Sequence, residues 1–171
     1  MQQDWLLRGL TEDDRDLMCA HLHGLPPGLR YLRFGHLYPD AALDEIVADF
    51  DFATDLFCGV LSPRRELVGL VQAAPDPNRC FELAFSVLPN WQLNGFALAL
   101  GERVLRMLAS RGASAARIRC LRSNEAMMGL ADRLGFTLVE EGVMARGERL
   151  LERPGVRSVR GGARLGLDPA F

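Results

Sequence analysis

A chain of 171 residues, 49% hydrophobic and 25% charged, with a mean hydropathy of +0.03, has apolar material for one core, is too short for two comfortable domains, and is too apolar for wholesale disorder. No apolar run approaches the ~18 residues of a membrane span, and acids and Arg8 interrupt the N-terminal stretch, so neither a membrane span nor a secretory signal is expected and a cytoplasmic location is. All 20 basic residues are Arg; residues 1–142 hold 14 of them against 19 acids and residues 143–171 hold 6 against 3, an acidic body that argues against nucleic-acid binding.

Trp5–Leu10 predicts a first strand, and Thr11 with Glu12, Asp13 and Asp14 behind it predicts a helix start, where acids suit the positive end of the peptide dipoles. That helix carries Leu17, Met18, His21 or Leu22 on one face and stops near Gly24 and Pro26-Pro27. Gly28–Tyr38 then forms a connector rich in aromatics, and Pro39-Asp40 opens a second helix with Leu43, Ile46, Val47 and Phe50 at helical spacing. Three strands follow, Asp55–Leu61, Glu66–Ala74 and Cys80–Val87, joined by polar turns. Phe96 to Leu108 fits a long helix ending near Gly112, Ala115–Leu121 a strand, Asn124–Leu134 a helix closed by Gly135, and Phe136–Val139 a strand. The order β-α-α-β-β-β-α-β-α-β predicts a mixed α/β sheet, antiparallel in its first half and crossed over by helices in its second. Residues 1–142 form the expected domain, and the Arg- and Gly-rich 143–171 one further strand and a loose tail. Cys19, Cys58, Cys80 and Cys120 have no ligand spacing and read as small buried hydrophobes, so no metal or disulfide is expected.

Chemistry concentrates in two segments. In Val87–Ala97 a strand gives way to a loop and then to a helix that begins with the small residues Gly95 and Ala97. The first-turn amides of a helix lack intrahelical acceptors, so such a start suits a phosphate, although strand-loop-helix with a glycine is also ordinary architecture. Asn124 opens the second segment, as a helix cap, a ligand contact or both, and Leu134-Gly135-Phe136 closes it.

Together the segments resemble the two signature motifs of the Gcn5-related N-acetyltransferases, the GNAT superfamily. Gln92, Gly95 and Ala97 match its Gln/Arg-x-x-Gly-x-Gly/Ala motif, and Asn124 with Leu134-Gly135-Phe136 matches its second. The resemblance implies the GNAT fold, a mixed central sheet of about six or seven strands flanked by about four helices. It implies acetyl-CoA as cosubstrate, with the pyrophosphate on the backbone of Gln92, Leu93, Asn94, Gly95, Phe96 and Ala97, and the pantetheine paired like a strand with Phe85, Ser86 and Val87. Asn124 is implied at the pantetheine or phosphate end.

For the chemistry, an amine must lose a proton before attacking a thioester, and a nearby carboxylate can take it. Glu82 interrupts an apolar strand just before the cofactor segment, and the family often carries its base there; desolvation is expected to raise its pKa. The alternative is a solvent-facing residue on an alternating strand. The family's frequent tyrosine acid, seven residues after the Asn, is replaced here by Ala131, which leaves Ser123, Cys120 and Tyr31 as possible proton donors.

Leu25-Pro26-Pro27 and Arg30-Tyr31-Leu32-Arg33-Phe34 further resemble the GNAT domain of bacterial protein lysine acetyltransferases. Tyr31 and Tyr38 are the expected acceptor-side contacts. The resulting expectation is an acetyl-CoA-dependent N-acetyltransferase acting by direct attack in a ternary complex. Its acceptor is a primary amine, on a small molecule or a protein lysine, with neither nucleic acid nor membrane as partner, and the chain is a monomer or homodimer. The rival is a catalytically weak acyl-CoA-binding GNAT-fold sensor or scaffold.

Overall fold

Two tight turns, each needing a residue in the left-handed region, set the first half of the sheet. Arg65 (φ 66°) turns Leu56–Leu61 (β2) back along Leu67–Pro75 (β3), and Arg79 (φ 62°) turns β3 into Cys80–Val87 (β4). Asp76 fastens the second turn, its Oδ1 accepting from the amides of Asn78 (2.8 Å) and Cys80 (3.0 Å). The computed structural model describes residues 4–152. With Leu6–Gly9 (β1), Ala115–Leu121 (β5), Thr137–Glu141 (β6) and Met144–Leu150 (β7), the strands form one sheet in the order β1-β2-β3-β4-β5-β7-β6.

Helices cover both faces. Phe96–Ser110 (α4) and Glu125–Arg133 (α5) lie on one side, where Leu100, Val104 and Leu108 pack with Leu134 against Cys58, Val71 and Leu83. The two approach closely because Gly101 has no side chain; a Cβ there would stand 2.4 Å from Leu134. On the other side Arg15–His23 (α1) and Asp40–Ala48 (α3) bury Met18, Leu22, Leu43 and Val47 against Phe57, Leu61 and Leu70.

The expected mixed sheet is present, with seven strands among the described residues. Among the described residues the α-helices number five rather than about four, because part of the expected connector is helical: Pro27–Phe34 (α2), with Pro27 at its first position and Gly35 in the left-handed conformation (φ 73°) at its end. The strand expected after residue 142 is β7, hydrogen-bonded to β5 on one side and β6 on the other. The loose Arg-rich tail expected beyond it, from Arg153 onward, lies outside the described residues.

One irregularity interrupts the sheet at its centre. β4 and β5 are the parallel neighbours, and they pair over Cys80–Glu82 against Ala115–Arg117. Both strands continue past that point, to Val87 and Leu121, without pairing to each other. On its other flank β4 stays paired with β3 as far as Val87.

Candidate functional site

The splay of β4 from β5 opens a cleft of about 490 Å³. Its floor is the unpaired stretch of β4, Leu83–Val87; the start of α4 closes one end, and Arg119, Asn124, Met127 and Leu130 stand along the β5–α5 wall. α2 roofs the β4 side with Leu29, Leu32 and Arg33.

The end formed by α4 is bare backbone. Gly95 is its N-cap at φ 78°, no side chain caps the helix, and a Cβ at Gly95 would meet nothing within 4 Å. The first-turn amides therefore keep their hydrogen-bonding capacity, and the aligned peptide dipoles add positive potential. The preceding loop is pinned at both ends. Gln92 Nε2 donates to the Val87 carbonyl (3.3 Å), and Trp5 packs its ring against Trp91 (4.9 Å) and Phe96 (4.6 Å). Asn94 folds back, its Nδ2 donating to the Gln92 carbonyl (3.0 Å), and does not line the cleft. Phe85, Ser86, Val87, Gln92, Leu93, Gly95, Phe96, Ala97 and Asn124 all do. Asn124 caps α5, its Oδ1 accepting from the Met127 amide (3.1 Å), which leaves Nδ2 for other partners.

Glu82 lines the cleft where the β4–β5 ladder ends. The expected desolvation is not found: its side chain is 51% exposed and ion-paired with Arg119, whose Nη2 lies 3.2 and 3.3 Å from the two carboxylate oxygens. The sheet's splay, which frees the strand edge beyond Glu82, also lets water reach this carboxylate.

Strand alternation puts Glu82, Ala84 and Ser86 on the β4 face turned toward α1 and α2. Ser86 meets His21, which is 1% exposed. The imidazole Nδ1 lies 2.8 Å from the Leu67 carbonyl and Nε2 lies 2.8 Å from Ser86 Oγ. A carbonyl can only accept, so Nδ1 carries the proton and Nε2 accepts from the Ser86 hydroxyl. Burial pushes the His21 pKa down to about 4, which keeps the ring neutral near pH 7.

Beside this pair lies a second polar chain. Gln72 on β3 donates from Nε2 to Asp55 Oδ2 (2.8 Å) and accepts at Oε1 from Arg33 Nη2 (3.0 Å). Burial pushes the Arg33 guanidinium down to about 10 against the opposing charge of Glu82, so it remains a cation near pH 7.

The two tyrosines expected on the acceptor side are elsewhere. Tyr31 is 46% exposed and off the cleft, because Leu29, Leu32 and Arg33 share one face of α2 and position 31 falls on another. Tyr38 packs edge-on to Phe34 (5.7 Å) outside the cleft. Ala131 is fully buried beneath α5, so that position presents nothing to the cleft. Of the possible proton donors, Cys120 lines the cleft, with its thiol pKa raised by burial. The roles of His21, Arg33, Gln72 and Trp5 escaped sequence reasoning; only the spacing of Leu29, Leu32 and Arg33 could have signalled one of them. Among the described residues no group of three or more His, Cys, Asp or Glu side chains could hold a metal, and no helix is long and apolar enough to cross a membrane.

Comparison with known proteins gives a match to the acetyltransferase (GNAT) domain family over residues 5–137. Among solved structures, the GNAT domain of S. lividans PAT superposes with a TM-score of 0.74 at 21% identity, covering 87% of this chain and 97% of that one. Spermidine N-acetyltransferase from Vibrio cholerae, in complex with CoA and spermine, gives 0.70 at 18% identity, covering 87% and 96%. A ribosomal alpha-N-protein acetyltransferase in complex with coenzyme A gives 0.69 at 15%, covering 90% and 97%. At these identities the structural likeness is one of fold.

Proposed function

Because the chain belongs to the acetyltransferase (GNAT) family, and with it to the acetyl-CoA-dependent N-acetyltransferases, we propose that the β4–β5 cleft binds acetyl-CoA and passes its acetyl group to a primary amine. The acceptor is a small molecule or a protein lysine, met in the cytoplasm. The observation that carries this reading is the break in the sheet: an unpaired strand edge leads directly to an uncapped helix N-terminus. Pantetheine is a chain of amides and methylenes, and the unpaired peptide groups of Leu83–Val87 match it as a neighbouring strand would. The pyrophosphate then falls on the amides that follow Gly95, and Asn124 Nδ2 supplies a further donor.

Glu82 is the proposed base, taking the proton from the acceptor ammonium so that the nitrogen lone pair can attack the thioester carbonyl. Arg119 orients its carboxylate. The departing thiolate needs no dedicated donor, since a CoA thiol is acidic enough to leave as the anion.

Two measurements test the reading. Glu82→Gln keeps shape and removes proton acceptance, so turnover should fall roughly 10²–10⁴-fold while the acetyl-CoA Kd stays put. Turnover within a factor of a few of wild type places the base elsewhere. Gly95→Glu should weaken CoA binding at least tenfold, about 1.4 kcal/mol. Because it also forces a side chain onto a positive φ, Ala97→Glu serves as the second variant; an acid in the first turn favours the helix but opposes a phosphate. Unchanged affinity in both removes the phosphate from this helix. A module that only binds acyl-CoA would show affinity without thiol release on any amine.

A further inference from the structure

The acceptor side of the cleft has a chemical character of its own. Its wall is the face of β4 that carries Glu82, Ala84 and Ser86, roofed by α2. Across the strand pair Ala74 lies opposite Glu82, Gln72 opposite Ala84 and Leu70 opposite Ser86. Gln72, which holds Arg33, lies opposite Ala84, with Glu82 one step along the face and Ser86 one step the other way. Alternate residues of a strand are about 7 Å apart.

The guanidinium is held rather than loose. Asp55 fixes the Gln72 carboxamide so that Oε1 faces Arg33. One Nη2 hydrogen is committed to Gln72, the guanidinium lies over the Phe34 ring (4.7 Å), and the rest of the fork, which carries five N–H donors in all, borders a cleft whose β4 side also carries a carboxylate and a hydroxyl. That hydroxyl donates its one hydrogen bond to His21 Nε2, so Ser86 offers only lone pairs. The wall therefore presents a cation flanked by two hydrogen-bond acceptors.

We propose that Arg33 binds a carboxylate on the acceptor, which makes the acceptor an amino acid rather than a polyamine or an isolated lysine side chain. The proposal rests on the acetyl-transfer reading above. The acceptor carboxylate pairs with the free edge of the Arg33 fork in the bidentate geometry guanidinium favours. Its ammonium turns toward Glu82, one step along the face, whose carboxylate can accept its N–H groups. A polycation finds a poor home here: of the charged side chains lining the cleft, Arg33, Arg119 and Arg133 outnumber Glu82 and Glu125, and repulsion from Arg33 meets the second positive centre.

The test uses the full chain with acetyl-CoA and matched pairs, each amino acid against its own carboxamide, alongside spermidine and a lysine peptide, following release of free thiol. At least one amino acid should show a KM tenfold or more below that of its carboxamide. Arg33→Gln should collapse that ratio to near one, with the change in KM rather than kcat, and Arg33→Lys should restore part of it. A preference for carboxamides, spermidine or the lysine peptide overturns the proposal, as does an Arg33→Gln ratio equal to wild type. Binding provides the independent readout: in the presence of CoA, the amino acid should raise the Tm of wild type but not of Arg33→Gln. A Tm shift without thiol release sinks the transfer reading alone, whereas no shift with any amino acid sinks this one.

Discussion

An imidazole buried as His21 is can be protonated only by placing a charge out of reach of water and giving up the hydrogen bond that Nε2 accepts from Ser86, and this ties the stability of the fold to pH. Its pKa falls from the ordinary 6.5 to about 4 in the folded chain, chiefly through desolvation. The unfolded chain therefore binds the proton first. The contribution of neutral His21 is complete above pH 6.5 and is lost as pH falls from there toward 4, amounting to roughly 3 kcal/mol over the window. The Asp14 carboxyl, held below its usual range by the Arg8 guanidinium (2.7 Å), adds its own loss only at more acidic pH. Tm should accordingly be flat above neutrality and decline between pH 6.5 and 4.5. In His21→Gln the level will differ but the decline over that interval should be much shallower; an equal slope assigns the titration to another group.

At the scale of elements, one arginine fastens the two ends of α2 to their surroundings. Arg30 donates to the carbonyls of Leu25 (2.8 Å), Tyr38 (2.9 Å) and His23 (2.8 Å) and pairs with Asp40 (2.7 Å), tying the segments before and after the helix to each other. Only 14% of its side chain is exposed, so Arg30→Ala strips partners from carbonyls that water reaches poorly. Bonds to a charged donor contribute about 1.5–3 kcal/mol each and are not additive, so a loss of about 2–4 kcal/mol is expected. Amide exchange across residues 25–40 should accelerate, and exchange in β5 should not. The same helix shows where the sequence was legible and where it was not. α4 could be read from its apolar repeat because Leu100, Val104 and Leu108 are buried through and through, and β4 from its run of apolar residues. α2 has no fully buried residue; Leu29 and Phe34 only border the α1–α3 cluster, and eight residues between Pro-Pro and Gly give its Leu29-Leu32-Arg33 face too short a run to stand out from a connector. The site divides likewise. The Gln92–Ala97 loop, Glu82 and Asn124 stood out through local pattern. Arg33, Gln72, Asp55, Ser86 and His21 meet only because β3, β4, α1 and α2 converge, and no local spacing encodes that.

For the molecule as a whole, the two apolar clusters lie back to back on one sheet. β2 feeds both, with Cys58 and Val60 on the α4 side and Phe57 and Leu61 on the α1–α3 side. Neither cluster can open without disturbing strands that the other needs. Unfolding should therefore be a single transition: the fluorescence of Trp5 and Trp91, both packed on the α4 side, should follow the same denaturant curve as far-UV circular dichroism. Separate midpoints would mean the two faces unfold independently.

The gap between β4 and β5 differs in one respect from an ordinary sheet edge. An outer edge invites any passing strand, which is why such edges are aggregation hazards. Here the unpaired backbone lies inside the sheet, with β5 as the opposite bank. Two strands flanking a missing one stand roughly 10 Å apart, so a visitor must enter lengthwise, as a single ribbon. Above and below the slot, Leu32 and Arg33 occupy one face and Met127 and Leu130 the other. A polypeptide threading in would drive its alternating side chains into both. A slender chain with long stretches free of side chains meets fewer of these obstacles than a polypeptide does, so the shape of the slot itself disfavours the strand-to-strand pairing that an outer edge invites.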